Sequence, residues 1–580
     1  MHDPSGMEKR QFRVLYREFL LRVIDLELLS ADADTARLLG QFAALFAGMS
    51  WLFTFWLIFA GSGLSKIFLL VMEHFLIATT MIVVALLSVF CWDSIFPDRR
   101  DVLVLAPLPI RARTLFRAKM AAVLSALCLS VVSLNIFSGL IWPRMFSITN
   151  GGGLSGMSRS MAAYWITMVL AGAFMFCCVI GVQGIASQLL PRQQFLRLSA
   201  LLQVAAFFLF LGVYILEPSL ETPKALAAPE NQRLLAWLPS YWFFGLFQQL
   251  NGSMLPVFAP LVRRAWIGLG VSCSVAVFVT LRAYLRTMGK IVEQPDILPG
   301  THRSNWSPRF GALLQTSIVL FGLRTLLRSK QHRVLLAFYL GTGFAAMLAY
   351  IRTPLRRLEI FHRAADGAAD VSFLVASLWM ICFAVLIVRL VISMPHTLRA
   401  NWIFRMTELR EASMYVSAVR RLLLVLAAAP VWLFLAVLFL SHWPTWTMAG
   451  HLVVLALVGM ILVELSLNGF QKLPFTCSYL PGQSKVHVVF WGILLVLIPL
   501  IGARFEDGIL NHPLNFVCMI VVLGAIAACA RWRTNSEAKL AEQLIFEEEY
   551  PPEIFGLNLP RNAGVPLTSS PAADQLQKML

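Results

Sequence analysis

Charge is scarce in this chain. Asp, Glu, Lys and Arg make up 14% of its 580 residues while 58% are apolar, too little polar surface to solvate a soluble domain of that length. Cysteine is rare as well. There are nine and no CxxC pair. Cys91, Cys128, Cys177, Cys178, Cys273, Cys382, Cys518 and Cys529 all fall in apolar runs, with Cys477 in a loop, which reads as small buried side chains and excludes a disulfide framework or a thiolate metal centre. No GxxxxGK[ST] phosphate loop occurs, so the chain lacks the usual means of binding ATP, and neither HExxH nor GxSxG is present to mark a zinc protease or a serine hydrolase.

What the sequence has in abundance is uncharged stretches of membrane-crossing length. Candidate spans are 42 to 62, 68 to 92, 120 to 142, 161 to 186, 198 to 216 and 265 to 281, then 334 to 351, 371 to 395, 422 to 442, 447 to 468, 487 to 503 and 513 to 530. Lipid cannot satisfy exposed backbone groups, so each is expected to be a helix, giving an all-α polytopic protein of about twelve spans. The net charge of +17 does not point to nucleic acid. Lys and Arg concentrate in alternate connections, the asymmetry expected of a plasma (inner) membrane protein with both termini in the cytosol. Arg352, Arg356, Arg357 and Arg363 depart from that pattern on the expected outer side, where Pro354–Arg363 would form an interfacial helix. Residues 1 to 40 carry both charge signs and no cleavable apolar core, so the first span is expected to serve as its own signal anchor.

The chain divides in two. A basic helix precedes the first span, and Phe310 to Gln331 precedes the seventh in the same way. Gln188-Leu-Leu-Pro191 after the fourth span has a counterpart in Gln471-Lys-Leu-Pro474 after the tenth. Six spans is an even number, so two such units would enter the membrane in one orientation as parallel repeats. The expected organisation is a cytosolic amphipathic elbow (1–40), a first six-span half (41–285), a linker with a second elbow (286–333), a second half (334–531) and a cytosolic tail (532–580) with a helix at Ser536–Glu549. The first elbow should set Leu15, Phe19 and Leu26 apart from Arg13, Arg17 and Arg22.

Charged loops follow the second span of each half. The first contains Asp98, Arg99, Arg100 and Asp101, then Leu108, Pro109 and Ile110, then Arg111. The second lacks the Leu-Pro-Ile turn and offers Glu408, Arg410 and Glu411, with Arg420 and Arg421 at the start of the ninth span. Polar groups within the spans are few: Asn135, Gln183, Gln203 and Glu464 are the candidate pathway residues, and Glu464 is read as essentially the one ionisable group near mid-span. Glu73 and His74 lie near a span end, where interfacial water would account for them.

The order of elbow helix, two spans, charged loop and four further spans, together with Asp98-RRDVLVLAPLPIRARTLFRAK and Trp237-LPSYWFFGLFQQLNG, resembles the permease subunits of type-2 ATP-binding cassette exporters. The resemblance covers the first half well and the second loosely. It implies a transport subunit and not an enzyme, with no cofactor of its own, driven by a separate cytosolic ATPase in two copies that bind ATP. It also implies that Asp98, Arg99, Arg100 and Asp101 dock by charge while Leu108, Pro109 and Ile110 fill an apolar groove of that ATPase. The cargo is open, an amphipathic or lipid-like molecule suiting apolar spans better than a small ion. Two other readings stand beside it. A six-plus-six secondary transporter would normally carry more ionisable groups at mid-span. A membrane-embedded transferase would need a carboxylate or His cluster, of which Asp32 and Asp34 are the nearest approach.

Overall fold

The computed structural model describes residues 4–24, 35–60, 66–90, 105, 108, 110–148, 153–190, 192–217, 235, 237–253, 256–293, 309–356, 371–394, 412–442, 446–468, 473–475, 485–510 and 512–540. All regular elements among them are helical, and no strand occurs there. Eight helical stretches are long and apolar enough to cross a membrane, so the chain is a multi-pass membrane protein.

The first set of helices is α1 (Pro4–Ile24), α2 (Thr35–Ala60), α3 (Lys66–Phe90), α4 (Ala112–Asn135), α5 (Ser138–Ile148), α6 (Gly153–Leu189), α7 (Arg192–Leu216), α8 (Pro239–Leu250) and α9 (Ala259–Glu293). The second is α10 (Leu313–Arg328), α11 (Lys330–Arg356), α12 (Val371–Ile392), α13 (Ala412–Leu423), α14 (Ala429–His442), α15 (Trp446–Ser466), α16 (Lys485–Leu510) and α17 (Pro513–Leu540). A π-helical turn, Leu424–Ala428, joins α13 to α14 inside one crossing, Ser413–Leu438. Such turns add a residue to the helical repeat and turn the side chains that follow.

Packing is organised around α6 and α15. Helix α6 lies between α3 and α9, with α7 on the other side of α3, while α15 lies between α12 and α17, with α16 beside α12. Asn135 at the finish of α4 bonds Tyr164 early in α6, and Arg420 near the start of the crossing 413–438 bonds Glu464 near the finish of α15, so these neighbours run antiparallel, while Arg389 and Ser466, both at helix finishes, set α12 and α15 parallel. The bundle thus has a loop end, where α3 and α12 finish and α4 and α13 begin, and a far end opposite.

Helix α1 does not keep its apolar face for lipid. Leu15, Phe19 and Leu20 are buried against α4, the Tyr16 hydroxyl donates to Ser125 Oγ at 2.9 Å, and Lys119 Nζ sits 5.4 Å from the Phe19 ring centroid. Helix α10 occupies the same place beside α13. Its Gln315 donates to Ser417 Oγ at 3.0 Å, and Gly322 lets the backbones close up, since a Cβ there would stand 2.6 Å from Leu422 Cδ1. The tail also differs from expectation: α17 continues unbroken from the membrane to Leu540, so residues 536–540 belong to the last crossing helix and not to a separate one. Of the interfacial helix expected at Pro354–Arg363, residues 354–356 are the last of α11 and 357–363 lie outside the described residues.

The two sets of helices meet where α7 packs on α11. Phe208 and Phe344 make an edge-to-face contact with centroids 5.3 Å apart, and Phe207 lies directly over Gly341, where a Cβ would overlap its ring. Small residues allow this close approach in a setting where dispersion, not water exclusion, holds helices together. Gly341→Ala should therefore cost about 1–3 kcal/mol through overpacking and lower the thermal midpoint in detergent, whereas Gly48→Ala, with nothing within 4 Å of its Cβ, should leave it unchanged or slightly raised.

Candidate functional site

The expected docking residues fall largely outside the described residues: Asp98, Arg99, Arg100, Asp101, Pro109, Glu408, Arg410 and Glu411 all do. Those that are described form a turn. Leu105 O accepts from the Leu108 N–H at 3.2 Å and Leu108 O from the Ile110 N–H at 2.7 Å, leaving Leu108 exposed while Ile110 packs against the core. Arg111 opens α4 as its N-cap. Its guanidinium lies 3.6 Å from Glu8 on α1, and the same carboxylate accepts from Thr114 Oγ1 at 3.0 Å. The root of the first charged loop is thereby fastened to the elbow helix by exposed, individually weak contacts.

The second loop is rooted differently. Arg420 is buried, not displayed. Its Nε stands 2.6 Å from Glu464 Oε1 and its Nη2 donates to Glu464 Oε2 at 3.0 Å and to Asn535 Oδ1 at 2.8 Å. Arg421 turns to donate to Phe310 O beside α10. On the other flank of the loop, Arg389 Nε donates to Ser466 O at 2.9 Å and His332 Nε2 lies 3.1 Å from Met394 O. Both roots are thus tied to the last turn of α15 or the start of α11. Glu464, the pathway candidate, is thus paired with Arg420 from the start of the ninth expected span.

Asn135 is also fully engaged. It donates through Nδ2 to Val131 O at 2.9 Å and to Thr80 Oγ1 at 3.2 Å, and accepts from the Tyr164 hydroxyl at 2.7 Å. Gln203 donates to Val89 O at 2.7 Å, satisfying a carbonyl that the finish of α3 leaves open. Gln183 is buried on α6.

The far end holds more ionisable groups than the sequence reading admitted. Glu73, His74 and Glu217 are buried in the first set of helices and His451 and Glu506 in the second, so Glu464 is one of several. Glu73 and His74 are not at a wet interface either, because α8 covers them. Tyr241, Phe243, Phe244 and Phe247 of its aromatic run are buried, with Trp242 half-buried. Gln248 donates to Glu73 Oε2 and Ser240 to Glu217 Oε1. The His74 ring lies 4.0 Å from that of Tyr241 and 3.2 Å from Glu217 Oε1. Pro239 pre-sets the first turn of α8, and Gly245 lets it close on Leu261 of α9.

In the second set, the connection between α16 and α17 is only residues 511 and 512, leaving no counterpart of α8. A polar chain stands there. Ser377 Oγ on α12 is 2.7 Å from His451 Nε2 on α15, and His451 Nδ1 is 2.7 Å from Glu506 Oε1 on α16. Their exposures are 2%, 0% and 1%. The order of groups is that of an acyl-transfer triad, but Ser377 lies inside α12, where the backbone N–H groups that an oxyanion hole would need are already bonded within the helix. A signal for these residues was available: His and Glu inside otherwise apolar crossings are costly and call for partners.

No protein family, curated protein or solved structure matches this chain.

The Arg420–Glu464 pair gives a direct test of what these buried charges do. Glu464→Ala strands an arginine in an apolar setting and should cost about 3–5 kcal/mol, while the double replacement Arg420→Met with Glu464→Leu should cost far less than the single one. Thermal unfolding of the three variants in one detergent reads the difference.

Proposed function

We propose that the chain is the membrane permease of a transporter, built from two six-span halves in one polypeptide and driven by a separate cytosolic ATPase. The observation that carries this reading is a repeated packing order. In each set of helices an elbow helix lies along the crossing that follows a charged loop (α1 on α4, α10 on α13), the second crossing packs on the fourth and fifth, and the fourth packs on the last. Two copies of one arrangement in one chain are what parallel repeats produce, with a central pathway between them.

The elbow contacts supply a mechanical reason for the arrangement. Closure of an ATPase on the first loop would press on the turn around Leu108 and reach α4 through Arg111 and Thr114, which Glu8 ties to α1. The elbow and the third crossing then move as one piece. The second loop is flanked by the buried Arg420 in place of exposed contacts. With the loop end in the cytosol the charged loops face the ATPase, and α8 covers the outer end of the first half. This protein supplies no nucleotide site. The ATPase binds ATP, and the cargo belongs to an amphipathic or lipid-like class.

A carrier driven by an ion gradient is the second reading, and the buried His–Glu pairs at the far end favour it, because ion-coupled carriers place ionisable groups in contact across crossings.

Purification from the native membrane in mild detergent separates the two. An ATP-binding cassette ATPase should accompany the wild-type chain in near-stoichiometric amount and be lost from the triple variant Asp98→Ala, Arg99→Ala, Arg100→Ala, with Glu8→Ala retaining it but lowering its cargo-stimulated turnover by several fold. Absence of any ATPase from the wild-type preparation would overturn the first reading and leave the carrier.

A further inference from the structure

Three hydrogen bonds at the far end have to share a fixed number of hydrogens. The Ser377 hydroxyl has one, and Oγ lies 2.8 Å from Leu374 O, an atom that can only accept. If the hydroxyl hydrogen went to His451 instead, two oxygens would face each other at that distance with nothing between them. The hydrogen therefore belongs to the Leu374 contact, and the 2.7 Å contact between Ser377 Oγ and His451 Nε2 requires Nε2–H as donor. The ring can then be neutral, with Nδ1 bare. The 2.7 Å contact from Nδ1 to Glu506 Oε1 in that case needs its hydrogen from the carboxyl group.

A second observation points the same way. Glu506 Oε2 is buried without a hydrogen-bond partner among the described residues. An ionised carboxylate spreads its charge over both oxygens and leaves neither bare without heavy cost, whereas the carbonyl oxygen of a neutral acid tolerates it far better. Of the other assignments, Ser377 to His451 to an ionised Glu506 leaves an oxygen pair unbridged, while an imidazolium facing a carboxylate fills all three contacts but leaves a buried anion with Oε2 unsatisfied.

We propose that Glu506, His451 and Ser377 form a proton-binding site, in which Glu506 carries the bound proton as a neutral acid and donates to His451, which donates to Ser377, which donates to Leu374 O. The chain is uncharged throughout and joins α16, α15 and α12. When these helices part and water enters, the Glu506 proton leaves to water and the carboxylate is solvated. Repacking takes one proton back. Opening of this end is thus linked to the release of a proton and is favoured as pH rises.

Several ionisable groups flank the site. On α16 the nearest charged groups are Arg504, exposed, and Asp507, half-buried, and His512 before α17 is exposed. On α12 the nearest titratable group is Cys382, buried. Arg389 on α12, Glu464 on α15 and the Arg531, Arg533, Glu537 and Lys539 group on α17 lie at the loop end, as do Lys330 and Arg333 of α11, while the far-end finish of α11 carries Tyr350, Arg352 and Arg356 and its Ile351 packs with Ala376, the neighbour of Ser377. No charged side chain of α14 is among the described ones. The inference holds whether ATP or an ion gradient drives the protein.

The test uses the full chain in lipid nanodiscs. Infrared spectra should show a carboxylic-acid carbonyl band that Glu506→Gln removes and Ser377→Ala keeps. Glu506→Gln, whose amide N–H can donate to Nδ1 as the acid does, should retain the wild-type thermal midpoint. The opening constant of the 374–380 region, taken as the hydrogen-exchange rate divided by the base-catalysed rate of an unprotected amide at the same pH, should rise several fold with alkalinity in the wild type and stay flat in Glu506→Gln. Loss of no acid band in Glu506→Gln would overturn the proposal. So would covalent labelling of wild-type Ser377 by a fluorophosphonate, which requires the opposite direction of donation. Should Glu506→Gln not fold, nitrogen NMR of the wild-type His451 ring decides: hydrogen on Nε2 alone supports the site, and hydrogen on Nδ1, with or without Nε2, overturns it.

Discussion

Lipid offers no hydrogen bonds, and nearly every polar contact in this protein follows from that. A group that would be solvated in a soluble domain must find its partner on another helix. Asn135 ties α3, α4 and α6 because it has no water to turn to, and Gln203 spends its amide on a carbonyl that the finish of α3 leaves open. Polar residues therefore act as register marks between helices whose apolar surfaces would otherwise slide against one another. Their contribution per bond is modest, but they fix which turn faces which.

The two ends of the bundle solve the same problem with different chemistry. At the loop end, charge meets charge: Arg420 and Glu464 are paired in fork geometry and Asn535 takes a remaining donor. At the far end carboxyl groups meet amide, hydroxyl and imidazole groups, under the aromatic cover of α8 over Glu73 and His74 in one set and in the Ser377–His451–Glu506 chain of the other. An ion pair resists separation because each partner is left charged. A chain that is neutral, as proposed for the second set, parts once a proton has somewhere to go.

Much of the fold could be read from the amino-acid sequence, because apolar length is a strong signal. The runs at 68–92, 161–186, 371–395 and 513–530 are helices α3, α6, α12 and α17. Ends were less legible. The run expected at 265–281 sits within a helix from Ala259 to Glu293, and the crossing expected from 422 begins at Ala412 and contains a π turn, since helix continues past the apolar stretch wherever a neighbour packs on it. The site was barely legible. Arg420 and Glu464 were each noticed but not joined, because partners 44 residues apart are related only through the fold. His451 was passed over as an isolated polar letter in an apolar span and Glu506 fell past the expected span 487–503 among Arg504 and Asp507, and only the packing of α12, α15 and α16 shows that they meet.

Helix α17 links the two ends of the second set. Its 28 residues form a rod about 42 Å long, held at one end by Asn535 and Thr534 against Arg420 and Glu464. At the other end two residues separate it from α16, whose Glu506 lies in the last two turns. A displacement of α16 at one end therefore has a stiff path to the Arg420–Glu464 pair at the other.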